Sequence, residues 1–237
     1  GQPMIELATV KPESVQHLEW GIKTRPSKNS TLNATVYQTN IYDYQTNVQT
    51  ADLSVNRGYL ANAEQVQVQG VEVEGTVSLT KHFNFYGNVA LTDAKYLSFK
   101  NAPVPLEETG GASFKDISGG ALPGVSKFVG SFGAEYTTAA KLFGEIGEFY
   151  FAIDSYGRSD FSSSPSPSKY LNIAGYNLLN ARLGFKASKG LSVSLWSRNL
   201  TGVDYFEQLL PGAGNAGHFA AVLGDPRTFG VTLRVSQ

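Results

Sequence analysis

The chain has 237 residues, enough for one large all-β domain or two small ones. Its formal net charge of −1 gives no electrostatic basis for binding nucleic acid, and the absence of cysteine excludes a disulfide framework and a thiolate metal site. Charged residues make up only 16% of the chain and aromatic residues 12%, a composition typical of a surface that meets lipid rather than of a soluble enzyme.

Apolar and polar residues alternate with a period of two along most of the chain, which predicts β-strands. The predicted strands span residues 14–25, 30–45, 64–80, 83–97, 127–137, 147–158, 175–187, 191–199 and 227–236. In the third strand the alternation changes phase at Gly70, where we predict a β-bulge. No apolar run approaches the length of about 18 residues that a transmembrane helix needs.

The predicted connections alternate strictly between short and long. Short turns lie near residues 26–29, 81–82, 138–146 and 188–190, and long connections lie near 46–63, 98–126, 159–174 and 200–226. This alternation is typical of an antiparallel up-and-down barrel in a bacterial outer membrane, with short periplasmic turns and long extracellular loops. Within one long connection, the sequence SSSPSPS at 162–168 predicts a flexible loop tip.

The strand count predicts that the chain is one part of a larger barrel. If the last strand ends in the periplasm, nine strands place residues 1–13 outside the cell, whereas bacterial barrels usually have both ends in the periplasm. The alternative is that residues 4–10 form a tenth strand and close a small barrel.

Six motifs, in order, resemble the C-terminal half of TonB-dependent receptors. They are Pro12-Glu13 with Glu19, Gly21 and Lys23; the stretch 32–45; Asn62-Ala63 with 70–74; the stretch 122–127; Arg198–Thr201 with Asp204-Tyr205; and 224–231. One departure is the ending Val235-Ser236-Gln237, where the family usually has an aromatic residue.

The resemblance implies about the last nine strands of a 22-stranded barrel, without the plug domain, in the bacterial cell outer membrane. It implies a receptor that binds a scarce large ligand, most often a ferric siderophore, and imports it to the periplasm with energy from TonB. Its partners would be outer-membrane lipid, the extracellular ligand, and the TonB complex through a plug region upstream. It implies no resident cofactor.

The alternation assigns side chains to two faces of the wall. The lipid face should carry Leu18, Trp20, Ile22, Phe83, Phe85, Val89, Leu91, Phe149, Phe151, Ile153, Leu183, Phe185, Phe229, Val231 and Leu233. The lumen face should carry Glu19, Lys23, Glu72, Glu74, Asn84, Asn88, Glu135, Asp154, Asn180, Arg182, Lys186 and Arg234.

Aromatic and polar residues near the predicted extracellular loops are the candidates for binding the ligand. They are Arg57, Tyr59, Tyr96, Tyr156, Arg158, His218 and Phe219. The alternative is that they are ordinary loop residues or aromatic residues at the membrane interface.

Two other functions remain open: a passive pore or small structural or adhesive barrel, and a barrel enzyme such as a lipase or protease. His17, His82 and His218 are far apart in the sequence, so nothing favours a metal site or a catalytic triad. We therefore predict a protein that is not an enzyme.

Overall fold

The computed structural model describes residues 9–49, 58–212 and 217–236. In this part of the chain, nine long strands form one antiparallel sheet in which each strand pairs with the next along the chain. They are β1 (Ser14–Ser27), β2 (Ser30–Gln49), β3 (Gly58–Ser78), β4 (Phe83–Ser98), β7 (Phe128–Leu142), β8 (Glu145–Arg158), β11 (Tyr176–Ala187), β12 (Leu191–Arg198) and β15 (Thr228–Val235). All nine predicted strands are present.

The remaining strands form three two-stranded sheets within the long connections. They are β5 (Ala102–Pro103) with β6 (Phe114–Lys115), β9 (Phe161–Ser162) with β10 (Asn172–Ile173), and β13 (Phe206–Pro211) with β14 (Phe219–Leu223). Among the described residues, one 3-10 turn covers Leu106–Glu108. No helix among the described residues is long and apolar enough to cross a membrane.

The two ends of the sheet differ in the length of their connections. The segments 28–29, 79–82, 143–144 and 188–190 join strands at one end, which we call the short-turn rim. The segments 50–57, 99–127, 159–175 and 199–227 join strands at the other end, the long-loop rim. Strands β7 and β8 reach farther than predicted, so the turn expected at 138–146 narrows to Phe143 and Gly144. Both residues have positive φ, as a two-residue hairpin turn requires.

Residues that are directly opposite on paired strands share a face, so the register sorts the side chains. We call the face that carries Trp20, Val71 and Leu195 the outer face, and the face that carries Glu72 and Asn88 the inner face. The two sets of residues predicted from the alternation fall on these two faces. Trp20 is 68% exposed and Val231 is 67% exposed, so the apolar side chains of the outer face do not form a buried core.

The predicted bulge at Gly70 is wrong. Gly70 pairs with Tyr37 on β2 and with Thr92 on β4 in unbroken register, and the shift between β3 and β4 lies between Gln65 and Val66 instead. The strand keeps its pleat through Gly70. Its alternation changes phase because the inner face becomes apolar at that height, where residues of the connection 99–127 pack against it.

The polarity of both faces inverts above one cross-strand row. On the outer face, the row Trp20, Val36, Val71 and Leu91 is followed toward the long-loop rim by Gln38, Gln69 and Asp93 on β2, β3 and β4, whereas β1 keeps the apolar Leu18 opposite Gln38. On the inner face, polar residues give way to Val68, Ala94, Val66 and Tyr96. We call the outer-face row that ends at Leu91 the boundary row.

Aromatic rings on the inner face lie over glycines of the neighbouring strand. The directly opposed pairs are Tyr37–Gly70, Tyr86–Gly133, Tyr150–Gly184 and Trp196–Gly230. At each of these glycines a Cβ would meet the ring. The Tyr86 ring therefore lies on the backbone of β7, from where its hydroxyl donates a hydrogen bond to Asp154 on β8. Because Gly133 has no side chain, Tyr86 on β4 can lie over β7 and bond to β8.

Replacing Gly133 by alanine should destabilise the sheet, because the new Cβ overlaps the Tyr86 ring and would break its bond to Asp154. We expect the free energy of unfolding, measured by urea titration in detergent, to fall by about 1–3 kcal/mol. Gly111→Ala is the control, since nothing lies within 4 Å of its Cβ. Equal stability of the two variants would contradict this role for Gly133.

Candidate functional site

The connection 99–127 is anchored by a cluster of buried apolar side chains on the inner face. Tyr96 (0% exposed) and Phe99 (2%) pack with their ring centroids 5.2 Å apart. The other members of the cluster are Val48, Ala63, Val66, Ala94, Ala102, Ile117 and Leu122. The connection folds back beside β4, where the Tyr96 N–H donates to the Gly120 carbonyl and the Leu122 N–H to the Ala94 carbonyl. This connection is therefore packed against the sheet.

Arg158 fastens the other end of the same connection. Its Nε donates to Ser126 Oγ at 2.8 Å and its Nη2 to the Gly124 carbonyl at 3.0 Å, while the guanidinium lies 3.6 Å from the centre of the Phe161 ring. Ser126 is buried and donates to the Ser159 carbonyl. The planar guanidinium makes all three contacts at once, which a lysine ammonium could not do.

The serine-rich segment 162–168, predicted to be a flexible loop tip, forms hydrogen bonds to two of the other connections at this rim, 99–127 and 199–227. Ser166 is buried, and its hydroxyl donates to the Pro103 carbonyl at 2.5 Å. The Ser163 hydroxyl lies 2.8 Å from the Leu209 carbonyl, and the Ser162 carbonyl accepts from the Gly124 N–H at 2.7 Å. Short polar side chains favour flexibility only where no backbone group is close enough to bond them.

A cavity of about 390 Å³ lies among the connections at this rim. Its lining includes Glu107, Ser166, Gln208 and Phe219. One Glu107 carboxylate oxygen, Oε1, accepts from the Lys169 N–H at 2.9 Å; the other, Oε2, is buried without a hydrogen-bond partner among the described residues. The cavity thus combines an apolar lining with hydroxyl, amide and carboxylate groups, as ligand pockets do.

A row of tyrosines lies at the long-loop rim. Ring centroids of Tyr156 and Tyr176 are 6.4 Å apart, and those of Tyr176 and Tyr205 are 4.3 Å apart. Tyr176 shares the inner face with Arg158, its partner in the register. The Tyr205 ring lies against Gly224, whose N–H donates to the Tyr205 carbonyl. The row offers several fixed aromatic surfaces toward the long-loop rim.

The structure places the sequence candidates for ligand binding in different surroundings. Tyr96 is fully buried and Tyr59 packs against the same cluster, so both stabilise the rim. Arg158 has its donors engaged by the connection that it fastens. Arg57 lies outside the described residues.

The other three candidates keep accessible surface. Tyr156 begins the tyrosine row, His218 is exposed, and Phe219 lines the cavity with its ring 5.3 Å from that of Tyr170. Tyr176 and Tyr205 were missed as site residues. The alternation of β11 could have indicated Tyr176, since it puts Tyr176 on the same face as Arg182.

Three of the sequence motifs meet in one polar cluster. Asn62 accepts from the Lys11 N–H at 2.8 Å and donates to the Asp43 carbonyl at 2.5 Å, where Asp43 adopts a positive φ of 53°. The Glu13 carboxylate accepts from the Gln45 N–H at 2.6 Å. These residues join the approach to β1 with β2 and β3, so the motif residues shape the rim.

Asn199, in the motif at 198–201, also shapes the rim. It has a positive φ of 47° and is buried, and its side chain donates to the Val203 and Asp225 carbonyls at 2.8 and 3.1 Å. Its amide oxygen accepts from the Val203 N–H at 2.9 Å. Asparagine tolerates this backbone conformation better than most residues, and its side chain closes the turn after β12.

Cations line the inner face of β11, β12 and β15. Arg198 lies nearest the long-loop rim, Arg182 is opposite Trp196, and Lys186 and Arg234 are both opposite Ser192 nearer the short turns. Within the described ranges, none of these four forms an ion pair within 4.0 Å. We call them the cation ladder. No group of three or more metal-ligating side chains occurs among the residues that the structure describes.

Nine strands in sequential antiparallel order, an exposed apolar outer face and a polar inner face define a segment of an up-and-down β-barrel wall. The family model for "TonB dependent receptor-like, beta-barrel" matches residues 3–200, so the chain belongs to this family. The family predicted from the sequence motifs is thus confirmed. No curated protein matches the chain by sequence.

Several solved structures share the fold. The ferric yersiniabactin uptake receptor FyuA from Yersinia pestis is 17% identical with a TM-score of 0.67, over 94% of this chain and 30% of that one. The copper transporter OprC is 16% identical with a TM-score of 0.70, over 96% of this chain and 32% of that one. The siderophore receptor PiuA from Acinetobacter baumannii is 16% identical with a TM-score of 0.64, over 95% of this chain and 28% of that one. The chain thus spans about 30% of the length of these proteins. The predicted all-β barrel fold is confirmed.

Replacing Arg158 by lysine should release the connection 99–127, because an ammonium group cannot span Ser126, Gly124 and Phe161 together. Each lost bond to the charged group is worth about 1.5–3 kcal/mol. We expect amide hydrogen exchange in residues 124–128 to become at least about tenfold faster. Arg25→Lys, in β1, should leave this exchange unchanged. Unaltered exchange in Arg158→Lys would show that Arg158 does not hold the connection.

Proposed function

We propose that this chain is part of the wall of a barrel in the bacterial outer membrane. The outer face below the boundary row would contact lipid, and the inner face would line a wet lumen. The support is the sorting of side chains below the boundary row, where charged groups lie on the inner face and exposed leucine, valine and aromatic side chains lie on the outer face. The short-turn rim would lie in the periplasm and the long-loop rim outside the cell, the usual orientation of such barrels.

The proposed activity is uptake of a scarce, large ligand, a ferric siderophore above all, driven by TonB through a plug region. The observation that carries this proposal is the long-loop rim, where three connections are tied together around a cavity and a row of tyrosines lies at the same end of the sheet. Binding surfaces that are ordered in advance lose less entropy when the ligand arrives. A passive pore does not require such an arrangement.

Within the candidate site, we propose Tyr156, Tyr176, Tyr205, His218 and Phe219 as ligand contacts. Their rings offer stacking surfaces for the aromatic or planar parts of a chelate. The cation ladder continues below them along the inner face and would attract an anionic ligand toward the short-turn rim. An anionic chelate therefore suits this wall better than a cationic one.

Growth under iron limitation tests the proposed cargo. A deletion strain of the gene should lose growth on at least one siderophore of a panel and regain it with the wild-type gene. A gene that carries Tyr176→Ala and Tyr205→Ala should restore growth only at ligand concentrations at least about tenfold higher, a loss of roughly 1.4 kcal/mol of binding. Unimpaired growth of the deletion strain on every iron source would exclude siderophore uptake. Uptake that persists without TonB would favour the passive pore.

Introducing arginine on either side of β12 tests the two faces. Leu195→Arg puts a cation on the outer face, where it costs about 2–4 kcal/mol at the membrane midplane, while Ser194→Arg puts it on the inner face of the same strand. We expect the Leu195 variant alone to yield far less heat-modifiable protein in outer-membrane fractions. The reverse order would mean that the faces are swapped.

A further inference from the structure

The cavity at the long-loop rim combines one charged side chain with a largely hydrophobic lining. Among the described residues that line it, Glu107 alone carries a charge. Hydrophobic side chains make up the larger part of the remaining surface, and they include Leu106, Leu171, Leu210 and Phe219. The segment 162–168 contributes serine hydroxyls. The lining therefore has one negative charge in surroundings that solvate charge poorly.

Glu107 has no counter-ion in the described part of the chain. Its Oε1 accepts a hydrogen bond from the Lys169 N–H at 2.9 Å, whereas Oε2 is buried without a hydrogen-bond partner among the described residues. The ammonium groups of two nearby lysines are engaged elsewhere. Lys115 binds both carboxylate oxygens of Glu108, at 2.7 and 2.8 Å, and Lys169 Nζ lies 4.9 Å from the centre of the Tyr170 ring. The charge of Glu107 is thus left without a positive partner.

A buried carboxylate without a positive partner is costly, because it loses its hydration and gains no ion pair in exchange. A cation that enters the cavity would remove this cost. A metal ion is a poorer match than an organic cation, because it takes several ligands and Glu107 belongs to no group of three or more metal-ligating side chains in the described ranges. One carboxylate is enough for an organic cation.

The other polar groups of the lining suit a primary ammonium group. Such a group has three N–H donors and no acceptor. Glu107 can accept from one donor, and the serine hydroxyls can accept from the others. The Ser166 hydroxyl already donates to the Pro103 carbonyl, so its oxygen remains able to accept. The hydrophobic side chains can cover the hydrocarbon stem that carries the ammonium group, as they cover the stems of buried lysines.

We propose that this cavity binds a primary ammonium group on a hydrocarbon arm of the ligand, with Glu107 as its counter-ion. The inference rests on the proposed function, because it takes the long-loop rim as the place where the ligand arrives, and it adds a positively charged arm to the chelate. The cation ladder lies on the strands, outside the lining of the cavity. The ladder therefore stays available for the anionic part of the same ligand.

Binding of hexylamine to the full-length protein, purified in a non-ionic detergent, tests this assignment. At neutral pH hexylamine has an ammonium group at the end of its hydrocarbon chain, and hexan-1-ol is the neutral probe of matched length. Both would be titrated by calorimetry into the wild type and two variants. Glu107→Gln keeps the shape of the side chain and removes its charge. Glu108→Gln makes the same change at the neighbouring residue, which Lys115 binds.

We expect the wild type and Glu108→Gln to bind hexylamine at least about tenfold more tightly than hexan-1-ol, because the ammonium group gains a charge-assisted hydrogen bond in a desolvated site. Glu107→Gln should lose this preference. Equal affinity of the wild type for the two probes, or an unchanged preference in Glu107→Gln, would overturn the proposal. The comparison of probes on the wild type needs no variant, so it decides the question even if Glu107→Gln does not assemble.

This test is independent of uptake, which growth on siderophores measures. A protein that is needed for growth on a siderophore but does not prefer hexylamine would refute the ammonium site alone. A protein that prefers hexylamine through Glu107, from a gene whose deletion impairs growth on no iron source, would keep the ammonium site and exclude siderophore uptake.

Discussion

The structure depends on one constraint, which is that backbone N–H and C=O groups cannot be left unpaired in hydrocarbon. A chain that crosses a bilayer as strands must pair every strand with a neighbour, and the antiparallel ladder from β1 to β15 does this with registers that run without a break across most of each strand. Once pairing is fixed, the pleat alone decides which side chains lie on each face of the sheet. Apolar residues on one face and polar residues on the other then follow from a period of two.

The same pleat produces a different surface above the boundary row. The outer face becomes polar there, and the inner face becomes apolar because the connection 99–127 covers it with Phe99, Ile117 and Leu122. The long-loop rim is therefore a small packed unit built on the end of the barrel wall. Burial raises the pKa of Tyr96, inside this unit, to about 12, as expected for a phenol that supports packing.

Much of this arrangement could be predicted from the sequence. Alternation located the nine strands, sorted Leu183 from Arg182, and, together with the motifs, identified the family. The error at Gly70 has a physical cause: alternation reports which side of a strand is apolar, but not whether lipid, water or a loop lies against that side. A change of surroundings and a bulge give the same pattern.

The candidate site was harder to predict, because its residues act through contacts between distant segments. Nothing near Arg158 in the sequence shows that Gly124 and Ser126 lie against it, and nothing in SSSPSPS shows that Pro103 and Leu209 supply acceptors. Motif residues such as Asn62 and Asn199 turned out to close turns and join strands. The side chains proposed as ligand contacts lie mostly outside those motifs; Tyr205 is the member that belongs to one of them.

Spin-label accessibility on the assembled protein in lipid bilayers tests the central claim most directly. The chain contains no cysteine, so single Val71→Cys, Glu72→Cys and Gln67→Cys variants would each add one labelling site to it. We expect the label at Val71 to collide mainly with oxygen dissolved in lipid, and the labels at Glu72 and Gln67 to collide mainly with a water-soluble nickel complex. A label at Gln67 that behaves like the label at Val71 would contradict the boundary between them.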